Sequence, residues 1–124
     1  MIKIRRVYEP AEKGEGWRVL VDRLWPRGLK KEEVKFDQWL KEIAPSEGLR
    51  QWFAHDPGKW EEFKNRYFQE LKKNEGLVET IRVKAREGTV TLLFGAKDTE
   101  LNNAVALKEF LEDHPRKDRQ KKSK

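Results

Sequence analysis

The stretch TVTLLF, residues 89–94, is a run of six apolar and β-branched side chains. Such a run is typical of a strand that is buried on both faces of a sheet. We therefore predict that it forms the central strand. Residues 2–8, IKIRRVY, alternate roughly as a strand does, and residues 17–22, WRVLVD, end in a denser apolar run. Both segments are also predicted to be strands.

The segment between the first two predicted strands is EPAEKGEG, residues 9–16. Its eight polar or turn-forming residues are fewer than the dozen or so that a helical crossover between parallel strands needs. The two strands are therefore expected to be antiparallel neighbours, or to be separated by a loop over the edge of the sheet.

The middle of the chain changes from strand-like to helical spacing. Apolar periodicity predicts helices over residues 36–43, 46–53, 57–74, 76–86 and about 99–111. Ser46 is a candidate N-cap, and Asp56 followed by Pro57 is a start signal because proline at the first helical position loses no hydrogen bond. Gly88 is a stop signal.

Strands near both ends of the chain around a helical middle segment predict an α/β fold. We expect a single small domain over residues 1–113, with a mostly parallel sheet of three or four strands covered by helices. Residues 114–124, HPRKDRQKKSK, carry +5 of the net charge of +6 and contain no apolar side chain. This composition predicts a disordered basic tail, which either solubilises the protein or adds weak affinity for nucleic acid.

The composition excludes several kinds of site. The chain has no cysteine, so disulfides, thiolate nucleophiles and cysteine-bound metal are excluded, and we predict neither a metal site nor a cofactor. No apolar run approaches the roughly 18 residues of a membrane helix, and the start of the chain lacks the apolar region of a signal peptide. The protein is expected to be cytoplasmic, with no membrane contact and with its oligomeric state open. The 40% of charged residues and the single methionine are typical of a heat-adapted source.

Ligands of open α/β sheets bind beyond the carboxyl ends of the strands. If the strands at 17–22 and 89–94 are parallel neighbours, DRLWPRG (residues 22–28) and GAKD (residues 95–98) share one edge, which we call the strand-end rim. The predicted ligand-binding residues are Arg6, Arg23, Trp25, Arg27, Lys97, Asn102 and Asn103. Asp22 and Asp98 are the candidate catalytic acid or base if the protein is an enzyme.

The residue types at this rim favour an anionic ligand. Arginine binds phosphate or carboxylate through two parallel hydrogen bonds, lysine adds a point charge, and a helix N-terminus offers free amides. Each residue also has a structural alternative. Asp22 and Asp98 could form salt bridges, Asp98 could cap the last helix, Trp25 could fill the core, and the two asparagines could lie on the helix surface.

His55, in AHDPGKW, is the one histidine of residues 1–113. No second histidine or cysteine stands at the spacing of a metal site, and a position beside Asp56 before a helix is typical of a loop or capping histidine. The sequence also lacks the glycine patterns of the Walker and Rossmann phosphate loops and the G-x-S-x-G nucleophile motif.

The order and spacing of DRLWPRG, IAPS, HDP and AKDTELNNA resemble the family called domain of unknown function 488, in its short YeaO-like branch. The resemblance covers nearly all of residues 1–113. It implies a compact α/β fold, mostly bacterial and archaeal occurrence, no settled activity, and for some members a suspected role near nucleic acids. The resemblance also implies that longer members of the wider family have cysteines at the positions of Phe94 and Asn102 and a histidine at the position of Asn103. Because this chain lacks those residues, any thiol chemistry of the wider family is not expected here.

The first hypothesis for function is therefore binding of a phosphate-bearing ligand, a nucleotide or a nucleic-acid backbone, at the strand-end rim, with an unknown reaction if the protein is an enzyme. The partner would be a small phosphorylated molecule or nucleic acid. The second hypothesis is a non-enzymatic protein-interaction module that exposes some of its aromatic residues. A helix-turn-helix DNA regulator is the weakest, because acidic residues offset the basic ones on the helices at 57–74 and 76–86.

Overall fold

The computed structural model describes residues 1–113, and the predicted disordered tail lies outside the described residues. Four parallel strands form one sheet: β1 (Ile2–Arg6), β2 (Trp17–Leu20), β3 (Gln38–Trp39) and β4 (Val90–Phe94). Their order across the sheet is β1-β4-β2-β3. Every residue of β4 is buried, so the prediction of a central strand is confirmed.

Residues 1–113 also contain four α-helices, three before β4 in the chain and one after it: α1 (Glu47–Phe53), α2 (Trp60–Lys72), α3 (Glu75–Glu87) and α4 (Asn103–Asp113). Short 3-10 turns span Lys31–Glu33, Lys41–Ile43 and Pro57–Lys59. The Ser46 hydroxyl accepts from the amide of Leu49, so this predicted N-cap is confirmed. The side chain of Asp56 likewise accepts from Gly58 at the turn that leads into α2. The fold is the predicted small α/β domain with a parallel sheet.

The alternation of side chains along β4 divides the core in two. Val90, Leu92 and Phe94 face the larger cluster, in which all four helices pack against the sheet. Leu93 faces the opposite side, where Leu20 and residues of the connecting segments form a smaller cluster. The helices therefore cover one face, while connecting segments cover the other.

The connection between β1 and β2 differs from the prediction. The two strands are parallel and separated by β4, so the antiparallel alternative is wrong. The hydroxyl of Thr91 in β4 donates to the carbonyl of Glu15 (2.6 Å), which places the connection over a face of the sheet and not over its edge. Its polar residues are accommodated there because the buried Glu15 carboxylate pairs with Arg5 and Arg18, each at 3.0 Å.

The predicted helix over residues 36–43 is also wrong. The segment forms β3 and a 3-10 turn, because its apolar side chains pack on both faces of the sheet. Phe36 and Trp39 join the smaller cluster, whereas Leu40 and Ile43 join the larger one. The amide of Leu40 donates to the carbonyl of Leu20 (2.9 Å), which is a sheet contact and not a helical one.

The last helix begins at Asn103, four residues after the predicted start at about Thr99. The side chain of Asn102 accepts from the amide of Val105 (2.9 Å), which is the geometry of an N-cap. Before it, Asp98 accepts from the amides of Glu100 and Leu101 in a tight turn. Residues 98–102 therefore form a turn and a helix cap, and this turn helps to shape the strand-end rim.

Candidate ligand-binding site

A cavity of about 280 Å³ lies beyond the carboxyl ends of β2 and β4. This volume is near the lower end of the range of small-molecule sites, roughly 300–1,000 Å³. One part of it is lined by Tyr8, residues 22–27, residues 95–96 and residues 101–103. The other part is lined by residues of and around α1 and by Phe63 of α2. Its titratable and charged lining residues are Tyr8, Asp22, Arg23, Arg27, Arg50 and His55.

Asp22 joins the two segments of the rim. Its Oδ2 accepts from the amide of Gly95 (2.8 Å), and its Oδ1 accepts from Nδ2 of Asn103 (3.0 Å). Asn103 Nδ2 donates in addition to the carbonyl of Val21 (3.0 Å). DRLWPRG and GAKD therefore meet at one edge of the sheet. Burial raises the pKa of Asp22 above its usual range, and the hydrogen bonds from Asn103 and Gly95 offset part of that increase.

The three arginines of the cavity have different surroundings. Arg23 donates to the carbonyls of Pro45 and Ala44, each at 3.2 Å, so its guanidinium also ties the rim to the segment before α1. Arg50 pairs with Glu47 at 2.5 Å. The exposed Arg27 has no acidic partner within residues 1–113. Arg27 is thus the lining cation whose charge is least neutralised by the protein.

Arg6 contacts residues of the cavity lining without lining the cavity itself. Its Nε donates to the carbonyl of Ala96 (3.0 Å), and its guanidinium lies 4.5 Å from the ring centre of Tyr8. The Tyr8 hydroxyl in turn donates to the carbonyl of Arg27 (2.7 Å). Tyr8 lines the cavity whereas Arg6 does not. Arg6 therefore holds the exit loop of β4 and the ring of Tyr8 in place.

Trp25 reaches both the cavity and the smaller core cluster. Its indole N–H donates to the carbonyl of Leu29 (2.6 Å), and its ring makes edge contacts with Phe36 and Trp39, each at 5.5 Å between centres. These contacts correspond to the core-filling alternative. One part of the ring nevertheless belongs to the cavity lining.

Three of the predicted site residues, Lys97, Asp98 and Asn102, either lie outside the cavity lining or have side chains that are already bonded within the protein. Lys97 and Asp98 follow β4 as expected but do not line the cavity. The amides of Leu101 and Glu100 hold the pKa of Asp98 below its usual range, and this bonding makes it a turn residue. The amide of Asn102 lines the cavity, yet it is occupied by Val105 and by the carbonyl of Asp98. Asp98 therefore closes a turn before α4 and does not cap the helix, while Asn102 is 3% exposed and provides the cap, so its predicted alternative on the helix surface is wrong.

His55, for which the sequence predicts a loop or capping role, lines the cavity. Ala54 and His55 both adopt the left-handed backbone region, with φ of 47° and 57°. Two such non-glycine residues in succession are uncommon and point to a constrained turn. Arg50 and Phe53 from α1 line the cavity as well. The available sequence signal was the polar cluster AHD after an apolar helix, but only the packing of α1 brings it to the rim.

Within the described part of the chain, no group of three or more His, Asp or Glu side chains could hold a metal ion. None of the helices described for residues 1–113 is long and apolar enough to cross a membrane.

The fold and the rim thus define a small parallel α/β domain with a cation-lined cavity at its strand ends. The chain belongs to the family described as the inactive DUF488-N3 subclade, which matches residues 1–124, so the resemblance is confirmed. The uncharacterized protein YeaO of Escherichia coli strain K12 is 42% identical over 110 residues, which cover 89% of this chain and 96% of YeaO. The uncharacterized protein Rv3073c of Mycobacterium tuberculosis strain H37Rv is 36% identical over 110 residues, covering 89% and 92%. No solved structure matches the chain significantly.

Proposed function

We propose that this protein binds a small phosphate-bearing ligand, such as a nucleotide, in the cavity at the strand-end rim, and that it does so without catalysing a reaction. One observation carries the proposal. Three arginines and a histidine line a cavity of about 280 Å³ in which Asp22 is the one carboxylate among the lining residues of the described chain. The surplus of arginines over carboxylates attracts an anion.

The proposal relies most on Arg27. Arg23 lies 3.9 Å from Glu42, and Arg50 contacts Glu47, so both have part of their charge balanced within the protein. Arg27 has no such partner in residues 1–113, and its guanidinium can offer two parallel hydrogen bonds to a phosphate. The loss of this side chain should therefore affect binding more than it affects folding.

The remaining lining favours a ligand that is more than a free anion. Phe53 stacks on Phe63 with 4.3 Å between ring centres, and both rings line the cavity together with Leu101. Tyr8 lines the same cavity and is 39% exposed. Apolar and aromatic surface of this kind suits a sugar or base that is attached to the phosphate.

Two observations support binding over catalysis. The description of the family as an inactive subclade is the first. The second is that the cavity offers one carboxylate, Asp22, whose two oxygens already accept hydrogen bonds from Gly95 and Asn103. Asp98, the other candidate acid or base, lies outside the cavity lining.

The test is calorimetric titration of the full chain with adenosine monophosphate, ribose phosphate and inorganic phosphate. We expect saturable binding of at least one organic phosphate. Arg27→Ala should weaken it by about tenfold or more, since a charge-assisted hydrogen bond contributes roughly 1.5–3 kcal/mol. Arg27→Lys should recover part of the loss, because lysine keeps the charge but not the paired hydrogen bonds.

The matched control is Arg86→Ala. Arg86 lies near the end of α3, at the opposite end of the sheet from the cavity, and pairs with Glu79 at 3.0 Å. The substitution Arg86→Ala removes one positive charge, as Arg27→Ala does, but it changes no residue that lines the cavity. Equal weakening by Arg86→Ala and Arg27→Ala, or binding that neither variant changes, would contradict the proposal.

The other functions have less support. The exposed large apolar residues of the described chain are Met1, Tyr8, Leu24 and Val83, and these are few and scattered for a protein-docking surface. Leu24 and Tyr8 belong to the rim of the cavity itself. A DNA-reading helix is less supported still, since Arg66 on α2 is paired with Glu62 at 2.8 Å.

A further inference from the structure

We propose that Asp22 accepts a hydrogen bond from a sugar hydroxyl of the ligand, so that the cavity takes a phosphorylated sugar with free hydroxyls, either as a ribonucleotide or as a sugar phosphate. This inference rests on the proposed function, because it assigns the neutral part of the same ligand. It starts from the Asp22 carboxylate, which forms no salt bridge within residues 1–113 although three arginines line the same cavity.

Within the described residues 1–113, only half of the acceptor capacity of Asp22 is used. Each of its oxygens has two lone-pair positions, and each accepts one hydrogen bond, from Gly95 or from Asn103. The neighbouring Arg23 directs its guanidinium to the carbonyls of Ala44 and Pro45. Asp22 lines the cavity, so a donor for the unused positions can come from a bound molecule.

The carboxylate is also held in one orientation. Asn103 Nδ2 bridges Oδ1 of Asp22 and the carbonyl of Val21, and the indole of Trp39 donates to the carbonyl of Asp22 (2.7 Å). A Cβ at Gly95 would lie 3.1 Å from Asp22 Oδ2, so the absence of a side chain there allows the close approach. An acceptor fixed in advance loses little conformational entropy when a ligand binds.

The charges of the cavity select the kind of donor. A phosphate oxygen would be repelled by the Asp22 carboxylate, and an ammonium group would meet Arg23, Arg27 and Arg50. A neutral hydroxyl is repelled by neither set of charges. A phosphorylated sugar carries both parts on one molecule: hydroxyls that donate to Asp22 and a phosphate that pairs with the arginines.

The test compares adenosine monophosphate with its dideoxy analogue, which has the same base and phosphate but neither ribose hydroxyl, by calorimetry on the full wild-type chain. We expect the dideoxy analogue to bind about tenfold more weakly or worse, because it leaves a shielded acceptor unpaired. Ribose phosphate distinguishes the two sources: binding as tight as that of the nucleotide assigns the site to a sugar phosphate, and weaker binding assigns it to a ribonucleotide.

The variant Asp22→Asn adds a second measurement, since it should reduce the preference for the hydroxyl-bearing ligand. The wild-type comparison stands if this variant does not fold. Equal affinities of the two nucleotides, with binding still lost in Arg27→Ala, would overturn the role of Asp22 and leave the proposed function intact. The absence of binding by any of these phosphates would overturn both.

Discussion

Burial raises the pKa of Asp22, so the folded protein holds a proton on this carboxyl at a higher pH than the unfolded chain does. Its contribution to stability is therefore fully present below the unfolded pKa, near the ordinary value of 3.8, and is lost as the pH rises through the folded pKa. We expect the free energy of unfolding of the wild type to fall over this window relative to that of Asp22→Asn, which cannot ionise.

Urea unfolding of both proteins from about pH 3 to about pH 8 measures this difference, and the other titrating groups cancel in it. A difference that stays flat would show that the hydrogen bonds from Gly95 and Asn103 balance the cost of burial, and one that grows in favour of the wild type with rising pH would show that they outweigh it.

Asn102 is 3% exposed and caps α4, so its removal leaves the amide of Val105 without its partner. We expect Asn102→Ala to lower the free energy of unfolding by about 1–2 kcal/mol, the upper part of the range for an N-cap, because the side chain also donates to the carbonyl of Asp98. Thermal and urea unfolding provide the measurement. Asn65→Ala, on the exposed face of α2, is the control and should be neutral or slightly stabilising.

The roles of Asn102 and Asn103 show how far a sequence can assign individual site residues. The sequence placed both near the rim, but neighbouring helix residues point about 100° apart. Where the helix begins therefore decides which one caps it and which one reaches Asp22. The helix begins four residues after the predicted start at about Thr99, because Asp98 closes a separate turn and Asn102 provides the cap.

At the scale of elements, the entry into β2 requires Gly16. Its φ is +64°, and a Cβ would lie 2.1 Å from the carbonyl oxygen of Thr89. The same carbonyl accepts from the amide of Trp17 (3.0 Å) at the start of the β2 and β4 pairing. We expect Gly16→Ala to cost about 2–4 kcal/mol, from backbone strain and from the clash together.

Gly28→Ala separates the two causes. Gly28 has a φ of +84°, and a Cβ there would have nothing within 4 Å, so its substitution should cost only the strain, about 1–2 kcal/mol. Urea unfolding measures both variants. Equal costs would mean that the approach of Thr89 is relieved by a small shift and that the clash is not what fixes this glycine.

The elements that were predicted correctly are those whose signals are local. Ser46 before α1 and Asp56 with Pro57 before α2 announce helix starts through side chains that cap nearby amides. The helix predicted over residues 36–43 was wrong because the apolar spacing fits a helix, whereas the packing partners of these residues lie on two faces of the sheet. Tertiary packing decides such a segment, and one sequence does not contain that information in a local pattern.

At the scale of the molecule, the α/β class was predictable from the sequence. The parallel pairing of β2 with β4 was only a condition of the sequence argument; the structure meets that condition, and DRLWPRG and GAKD come together as the argument then requires. The order of the strands in the sheet was not predictable from the sequence. A polar connection crosses a face of the sheet here because the buried Glu15 is paired with Arg5 and Arg18, and charge pairing over a sheet leaves no signature in the periodicity of any one segment. The inclusion of His55 in the cavity has the same origin, since it depends on how α1 packs.

The distribution of charge over the whole chain leads to a last prediction. Residues 114–124 carry +5, and residues 1–113, which contain the cavity lining, carry only +1. We expect the full chain to bind a short DNA duplex weakly at low salt, with a steep loss of affinity as salt rises, because such binding releases counterions in proportion to the phosphates contacted. A chain that ends at Asp113 should lose this binding and keep its affinity for adenosine monophosphate.

Fluorescence anisotropy with a labelled duplex at two salt concentrations, beside calorimetry with the nucleotide, measures both affinities. Arg27→Ala in the full chain is the reciprocal control: it should weaken nucleotide binding and leave the salt dependence of duplex binding nearly unchanged. Duplex binding that survives removal of residues 114–124 with the same salt dependence would place the nucleic-acid contact on the α/β domain itself. The cavity and the charged segment would then have to be treated as parts of one surface, and the separation of a ligand site from a non-specific electrostatic contact would be wrong.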